Sequence, residues 1–133
     1  MSVFVDTSAF YAVLDGDCAD HKAAAEHWAK LIRGKTALIS SNYVLVETIA
    51  LVQHRLGMQA VHAFHENALP MVHIEWVDEW CHKAAIAGLL TAARRQLSLV
   101  DCVSFEVMRQ LGIKVAFTLD RHFEEQGFKC LPG

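Results

Sequence analysis

The chain has 133 residues, a formal net charge of −3 at pH 7 and a hydrophobic content of 53%. This length fits one domain with a sizeable buried core, so we expect a single domain over residues 1–133. No uncharged apolar stretch reaches the ~18 residues that a membrane-spanning helix needs, so we expect no membrane association of that kind. The negative charge gives no overall basic field of the type that attracts nucleic acid.

The start of the chain and its cysteines both favour a cytoplasmic protein. The first predicted strand begins almost at Met1, which leaves no room for a cleaved signal peptide. The four cysteines are scattered and form no C-x-x-C pair, so they fit neither a disulfide framework nor a zinc site. The hydrophobic content is slightly above the ~45–50% that is usual for globular domains, which either an apolar association surface or a well-filled core would explain.

Short apolar runs predict four strands, and segments with helical spacing lie between them. In chain order we predict a strand at 3–5, helices at 9–14 and 19–32, a strand at 37–39, helices at about 41–56 and 58–68, a strand at 71–74, helices at 78–93 and 99–111, a strand at 114–118, and a short helix after residue 120. Ser40 or Ser41 and Ser98 are placed to cap helix N-termini. Gly57 and Gly112 stand where helices commonly end.

The alternation of short strands with longer helices predicts an α/β fold with a mainly parallel sheet and helices on both faces. In such sheets, ligands bind beyond the carboxyl ends of the strands, at the point where the strand order reverses. Asp6 follows the apolar run VFV, and Asp120 closes the run VAFTL. Both acids are therefore expected at the edge of the sheet where a ligand would bind.

Two further acids also stand in apolar surroundings. Glu47 interrupts YVLVETIALV, and Asp101 interrupts LSLVDCVSF. An isolated carboxylate in such surroundings costs several kcal/mol or is forced to accept a proton. Four such positions in one chain need a common explanation.

Each of the four acids also has a simpler structural interpretation. Asp6 and Asp120 precede predicted helices and can be N-caps. Glu47 lies within an apolar helix stripe, where it can be a core acid paired with Arg or Lys. Asp101 is in the first turn of its helix, where the helix dipole favours an acid.

Taken together, the four acids predict a metal site. Two acids at strand ends and two on apolar helix faces can converge at one end of the sheet, where a hard divalent cation would relieve their repulsion. Mg²⁺ or Mn²⁺ prefers oxygen ligands and keeps waters for substrate phosphates. Such a site supports phosphodiester hydrolysis, in which the metal activates a water and neutralises developing charge.

Four motifs in the chain resemble those of the PIN domain family, and in particular those of the VapC-type ribonuclease toxins of bacterial toxin–antitoxin pairs. The motifs are FVDTSAF, SNYVLVET, LSLVDCVSFEVM and AFTLDRHFEEQGF, and the resemblance covers essentially the whole chain. The last two motifs, near the C-terminus, are the most specific. The site residues that the resemblance assigns are Asp6 with Thr7 or Ser8, Glu47, Asp101, and Asp120 with Thr118.

The resemblance implies a Rossmann-like three-layer α/β/α sandwich, a site for Mg²⁺ or Mn²⁺, homodimers and cleavage of RNA. For a toxin of this type it also implies a small antitoxin protein on another chain. Arg94, Arg95, Arg121 and His122 lie near the third and fourth acids in sequence and can contact RNA phosphate. Arg94 and Arg95 also fit a solvated helix end.

Other functions remain open at this point. A PIN domain can serve RNA processing or decay without being a toxin. A receiver-like signalling module also holds Mg²⁺ with acids, but it needs a mid-chain acid after a strand, whereas Glu47 lies within a predicted helix. A binding module that shares the fold without catalysis would not need four intact acids.

Overall fold

The computed structural model describes residues 1–133 and arranges them around one five-stranded parallel sheet. The strands are β1 Ser2–Val5, β2 Ala37–Ser41, β3 Val72–Glu75, β4 Val115–Phe117 and β5 Lys129–Leu131. Their order across the sheet is β3-β2-β1-β4-β5, and each pair of neighbours is parallel. The predicted α/β class with a parallel sheet is confirmed.

Seven α-helices occupy the connections, because parallel strands can be joined only by crossover segments. They are α1 Thr7–Leu14, α2 His21–Arg33, α3 Asn42–Leu56, α4 Met58–Ala63, α5 Glu79–Ala92, α6 Leu99–Leu111 and α7 Arg121–Glu125. None of them combines the length and the apolar composition that crossing a membrane requires.

The strand order reverses beside β1, and this reversal defines the functional edge of the sheet. The chain runs outward from β1 to β2 and β3, and then returns to place β4 and β5 on the other side of β1. Val5 at the end of β1 pairs with Phe117 at the end of β4. The residues that follow these two strands therefore emerge side by side, in the crevice where open α/β sheets bind ligands.

The middle of the sheet is held in place by an aromatic cluster. Phe4 of β1 stacks on Phe123 of α7 with ring centroids 6.5 Å apart, and Phe105 of α6 meets Phe123 edge-on at 5.0 Å. All three rings are buried. Because α6 begins near Asp101 and α7 follows Asp120, this cluster also fixes where those two acids lie relative to β1.

Local capping follows the predicted pattern closely. Ser41 is the N-cap of α3, where its hydroxyl accepts a hydrogen bond from the Val44 N–H at 3.2 Å. Ser40 has another role, because its hydroxyl donates to the Val5 carbonyl at 2.8 Å and ties β2 to β1. Gly57 and Gly112 follow α3 and α6 with φ of 89° and 69°, a region that glycine adopts without strain.

Two parts of the chain differ from the prediction. The helix expected over 58–68 ends as an α-helix at Ala63 and continues as a π-helical turn, Phe64–Ala68, and a 3₁₀ turn, Leu69–Met71. Pro70 lacks a backbone N–H and restricts the residue before it, so regular helical bonding cannot continue there. The sequence also carries no clear signal for β5, whose three residues pair only with β4 at the sheet edge.

Truncation of Phe123 tests the aromatic cluster. Its side chain is fully buried, and replacing a buried Phe with Ala costs about 3–5 kcal/mol through lost burial and the cavity that remains. We expect Phe123→Ala to lower the free energy of unfolding by that amount in urea denaturation. Met58→Ala, at an exposed side chain, is the control and should change it by no more than about 0.5 kcal/mol. Equal stability of the two variants would contradict this role for the cluster.

Candidate active site

Asp6 lies at the carboxyl end of β1 with only 3% of its surface exposed. Its Oδ2 accepts hydrogen bonds from the hydroxyls of Ser8 at 2.9 Å and Thr118 at 3.0 Å. Each hydroxyl in turn accepts a bond from the backbone after β4: the Leu119 N–H donates to Ser8, and the Asp120 N–H donates to Thr118. Two short hydrogen-bond relays therefore join the first and fourth motifs around one carboxylate.

The first motif contains two hydroxyl residues, and the structure separates their roles. The Thr7 hydroxyl accepts a hydrogen bond from Thr48 of α3 at 3.3 Å, so Thr7 joins α1 to α3. Ser8 is the residue that contacts the acid. Asp6 itself occupies the N-cap position of α1, as predicted, but its side chain makes no capping hydrogen bond.

Asp101 lies in the first turn of α6 and is buried. It forms a capping box with Ser98, in which the Ser98 hydroxyl accepts from the Asp101 N–H at 3.0 Å and Asp101 Oδ2 accepts from the Ser98 N–H at 3.1 Å. These bonds satisfy two amides at the helix N-terminus and fix the direction of the carboxylate. The carboxylate therefore both caps α6 and faces the neighbouring acids.

Asp120 and His122 complete a compact group with Asp101. Asp120 is the N-cap of α7, where its Oδ1 accepts from the His122 N–H at 2.9 Å. The His122 ring then places Nδ1 2.8 Å from Asp120 Oδ1 and 3.8 Å from Asp101 Oδ2. One potential ligand atom from each of these three residues lies within 4.8 Å of the other two.

Burial and mutual repulsion oppose ionisation of two of these acids. Burial raises the pKa of Asp6 to about 6, the charge of Asp101 adds to the increase, and the hydrogen bonds from Ser8 and Thr118 act against it. Burial also raises the pKa of Asp101, to which the charge of Asp120 contributes. The site therefore concentrates negative charge that a bound cation would stabilise.

Glu47 lies at the margin of this group. It is half-buried on α3 and, with Val100 directly before Asp101, lines a cavity of about 330 Å³. It forms no ion pair with Arg or Lys, so the interpretation of Glu47 as a paired core acid is wrong. It is also not among the residues whose ligand atoms lie within 4.8 Å of one another.

The residues predicted to contact RNA have different surroundings. Arg94 pairs with Glu125 of α7 at 2.7 Å, and both side chains are about half exposed. Arg95 and Arg121 are exposed and form no ion pair. His122 is mostly buried beside the acids, with 16% of its side chain exposed. Their contacts with RNA stay predictions, and the unpaired Arg95 and Arg121 are the most available of the four.

Sequence reasoning placed His122 among the RNA-contact residues and missed its position beside the acids. The signal that could have found it is its spacing: a residue two positions after an N-cap acid turns back toward that acid in the first turn of the helix. The sequence LDRHF has this spacing between Asp120 and His122. The N-cap interpretation of Asp120 was needed first, and the structure confirms it.

A divalent cation fits these residues. Asp6, Asp101 and Asp120 supply carboxylate oxygens, which Mg²⁺ and Mn²⁺ prefer. The buried Nδ1 of His122 has no hydrogen-bond partner. Buried polar atoms in folded proteins are normally satisfied, so an unpartnered one beside Asp101 and Asp120 points to a bound group that it would contact.

Comparison with known families identifies the fold that carries this site. The sequence pattern of the PIN domain matches residues 3–129. The chain belongs to the PIN domain family. This PIN domain is 35% identical over 127 residues to the 23S rRNA-specific endonuclease VapC20 of Mycobacterium tuberculosis, from strains CDC 1551 / Oshkosh and ATCC 25618 / H37Rv, and each alignment covers 95% of both chains.

Solved structures agree with this assignment. The crystal structure of Mycobacterium tuberculosis VapC20, described as a sarcin–ricin loop cleaving toxin, matches the PIN domain with a TM-score of 0.83 at 34% identity over 95% of both chains. The structure of FitAcB from Neisseria gonorrhoeae matches with a TM-score of 0.69 at 16% identity, over 98% of this chain and 96% of the other. The second likeness supports the fold alone.

The raised pKa of Asp6 predicts how the metal-free PIN domain responds to pH. Asp6 holds a proton up to about pH 6 in the folded state, whereas the ordinary value for Asp is 3.8. The folded state therefore binds more protons between these values, and stability falls as pH rises through that range. In EDTA, we expect the loss of the Asp6 proton to lower the free energy of unfolding by up to about 3 kcal/mol as the pH rises from 4 to 7.

Asp6→Asn is the matched variant, because its amide oxygen can still accept from Ser8 and Thr118 while the charge is removed. We expect it to be at least as stable as the wild type in EDTA at neutral pH, and the difference to disappear near pH 4. Urea denaturation at both pH values measures this. A variant that is much less stable than the wild type at neutral pH would contradict the burial cost assigned to the carboxylate.

Proposed function

We propose that the chain is a metal-dependent endoribonuclease in which residues 1–133 act as one nuclease domain. The observation that carries this proposal is the group of Asp101, Asp120 and His122, whose ligand atoms lie within 4.8 Å of one another. Asp6 lies at the reversal point of the sheet, near enough for the charge of Asp101 to help raise its pKa. The similarity to VapC20, a 23S rRNA-specific endonuclease, supports RNA as the substrate. The cofactor is Mg²⁺ or Mn²⁺.

The cation, when bound, supplies a polarised water and neutralises charge that develops on the phosphate. Asp6, Asp101 and Asp120 would hold it. Ser8 and Thr118 both donate to Oδ2 of Asp6, which keeps the carboxylate in one orientation and leaves Oδ1 without a side-chain donor. Residues that lock a ligand in this way reduce the reorganisation needed when the cation and substrate bind.

The capping box performs the same positioning for Asp101. Its Oδ2 accepts from the Ser98 N–H, so the carboxylate cannot turn away from the site without losing this bond and leaving the Ser98 amide without its partner. Glu47 acts from the margin, where it faces the cavity beside Val100. From that position we assign it the role of a group that would accept a proton through a water molecule.

The likeness to VapC20 also supports the role of a toxin that acts on ribosomal RNA in the cytoplasm and is held inactive by a small antitoxin protein. The first RNA to test is the sarcin–ricin loop of 23S rRNA, because the VapC20 structure is described as a toxin that cleaves it. Arg95 and Arg121 are the side chains that we assign to phosphate contacts, since neither has an acidic partner.

Cleavage of an RNA hairpin tests the nuclease proposal. We expect purified protein to cut a sarcin–ricin loop hairpin with Mg²⁺ or Mn²⁺ and to stop when EDTA is added. Asp101→Asn keeps an oxygen that can accept from Ser98, so it should fold, yet it should lose at least about 100-fold in rate, because even outer-sphere partners of a metal contribute 10–100-fold.

Glu79→Gln is the matched control, because Glu79 is an exposed acid paired only with Lys83 at 3.1 Å on α5. It should cleave like the wild type. Activity that survives EDTA, or that is equal in the Asp101→Asn and wild-type preparations, would contradict the proposal. Cleavage of unrelated hairpins at the same rate would instead favour a general RNA-decay nuclease over a ribosome-directed toxin.

A homodimer is the second part of the proposal. Four large apolar side chains are 68–73% exposed: Val46 of α3, Trp76, and Trp80 and Leu90 of α5. Helices α3 and α5 adjoin, because Tyr43 of α3 and His82 of α5 share a hydrogen bond. A contiguous exposed apolar surface commonly marks an interface, and we assign these four side chains to the contact between two copies of the chain.

Sedimentation velocity measures the assembly. At micromolar concentration we expect a dimer for the wild type and a shift toward monomer for Trp80→Glu, because the charge would be buried without a partner. Met58→Glu, on α4, should leave the dimer unchanged. A wild type that sediments only as a monomer would refute this part of the proposal and leave the nuclease assignment intact.

A further inference from the structure

We propose that His122 Nδ1 is a nitrogen ligand of the cation, and that this makes the site favour Mn²⁺ over Mg²⁺. The proposal rests on the metal site assigned above and adds a residue to it. Nδ1 is buried and lacks a hydrogen-bond partner. A buried ring nitrogen without a partner is rare in a folded protein, and a metal ion is one group that would supply the missing partner.

The contact with Asp120 does not satisfy this nitrogen. Nδ1 lies 2.8 Å from Asp120 Oδ1, but the approach lacks the angle of a hydrogen bond. The same Oδ1 already accepts the His122 backbone N–H at 2.9 Å. The two atoms thus lie side by side, which is the relation between two ligands of one ion.

The separations between the atoms agree with shared coordination. Ligands about 2.1 Å from an octahedral ion are about 3 Å apart when adjacent and about 4.2 Å apart when opposite. The distances from His122 Nδ1 to Asp120 Oδ1 and Asp101 Oδ2 are 2.8 and 3.8 Å, within or close to that range. Small movements of the side chains would therefore bring all three atoms onto one ion.

The fold also holds the ring in this position before any ion binds. Phe123, the next residue, is fully buried against Phe4 and Phe105, so α7 cannot rotate freely. Arg94 ties the other end of α7 through Glu125 at 2.7 Å. A ligand that is oriented by its surroundings binds metal more tightly than a mobile one, because less freedom is lost on binding.

A nitrogen ligand has a consequence for metal choice. Mg²⁺ demands oxygen ligands and loses water reluctantly, whereas first-row transition ions accept imidazole. An all-oxygen set of Asp6, Asp101 and Asp120 would discriminate weakly between Mg²⁺ and Mn²⁺. The addition of His122 shifts the preference toward Mn²⁺. The competing interpretation is that His122 is only an ion-pair partner of the acids. A bound cation would then take its place, and the ring would lose contact with the acids.

Pulsed EPR of the Mn²⁺-loaded full chain tests the proposal directly. We expect nitrogen coupling to Mn²⁺ in the wild type, and a change of the coupling pattern when the histidines are labelled with ¹⁵N, which requires no substitution. His122→Asn, whose amide oxygen falls near the position of Nδ1, should lose the coupling. His73→Asn, at an exposed histidine on β3, is the control and should retain it.

Calorimetric titration with MnCl₂ and MgCl₂ supplies a second readout. The preference for Mn²⁺ over Mg²⁺, measured as the ratio of the two dissociation constants, should be about tenfold smaller in His122→Asn than in the wild type. If the wild type binds Mn²⁺ without nitrogen coupling, and Asp101→Asn does not bind it, the role of His122 is overturned and the nuclease proposal stands. Failure of the wild type to bind Mn²⁺ or Mg²⁺ would overturn both.

Discussion

The burial of the Asp6 carboxylate at the end of the central strand is the constraint on which the rest of this site depends. β1 is paired on both sides, and its last residue, Val5, is fully buried. A charge placed directly after such a strand cannot reach bulk water, so it must be stabilised by what surrounds it. Ser8 and Thr118 provide two hydrogen bonds, which lessen but do not cancel the increase in its pKa. A divalent cation would remove the remaining free-energy cost of burying the charge. Metal binding and local stability are therefore coupled.

The acids around Asp6 show that capping and metal binding are compatible. Asp101 completes the capping box of α6, and Asp120 caps α7. An N-cap contributes about 1 kcal/mol, which offsets part of the cost of keeping a carboxylate in a crowded, mostly buried place. A side chain held by a helix N-terminus is also fixed in direction. The same hydrogen bonds that stabilise α6 and α7 thus also orient the carboxylates of Asp101 and Asp120. Asp6 is the exception, because the hydroxyl groups of Ser8 and Thr118 orient its carboxylate instead.

The aromatic cluster connects the core to the site. α7 has only five residues, and a helix of that length has no stability of its own in water. Its position therefore comes from Phe123, which packs between Phe4 of the central strand and Phe105 of α6. Asp120 and His122, which lie just before this anchor in the chain, are carried to the reversal point of the sheet as a consequence. A loss of packing at Phe123 would thus be felt at the site even though Phe123 contacts no ligand.

Local sequence determined the fold class, most of the helix and strand bounds, the caps at Ser41 and Ser98, and the identity of the acids, because periodicity, capping residues and charges in apolar runs are read over short segments. The family resemblance was also visible at this level. Only the tertiary structure decided that Ser8 and not Thr7 holds Asp6, that Glu47 stands at the margin, and that His122 faces the acids. Thr118 and Asp6 are 112 residues apart in the chain. Their contact follows from the pairing of β1 with β4 and the packing of Phe123, which no local pattern encodes.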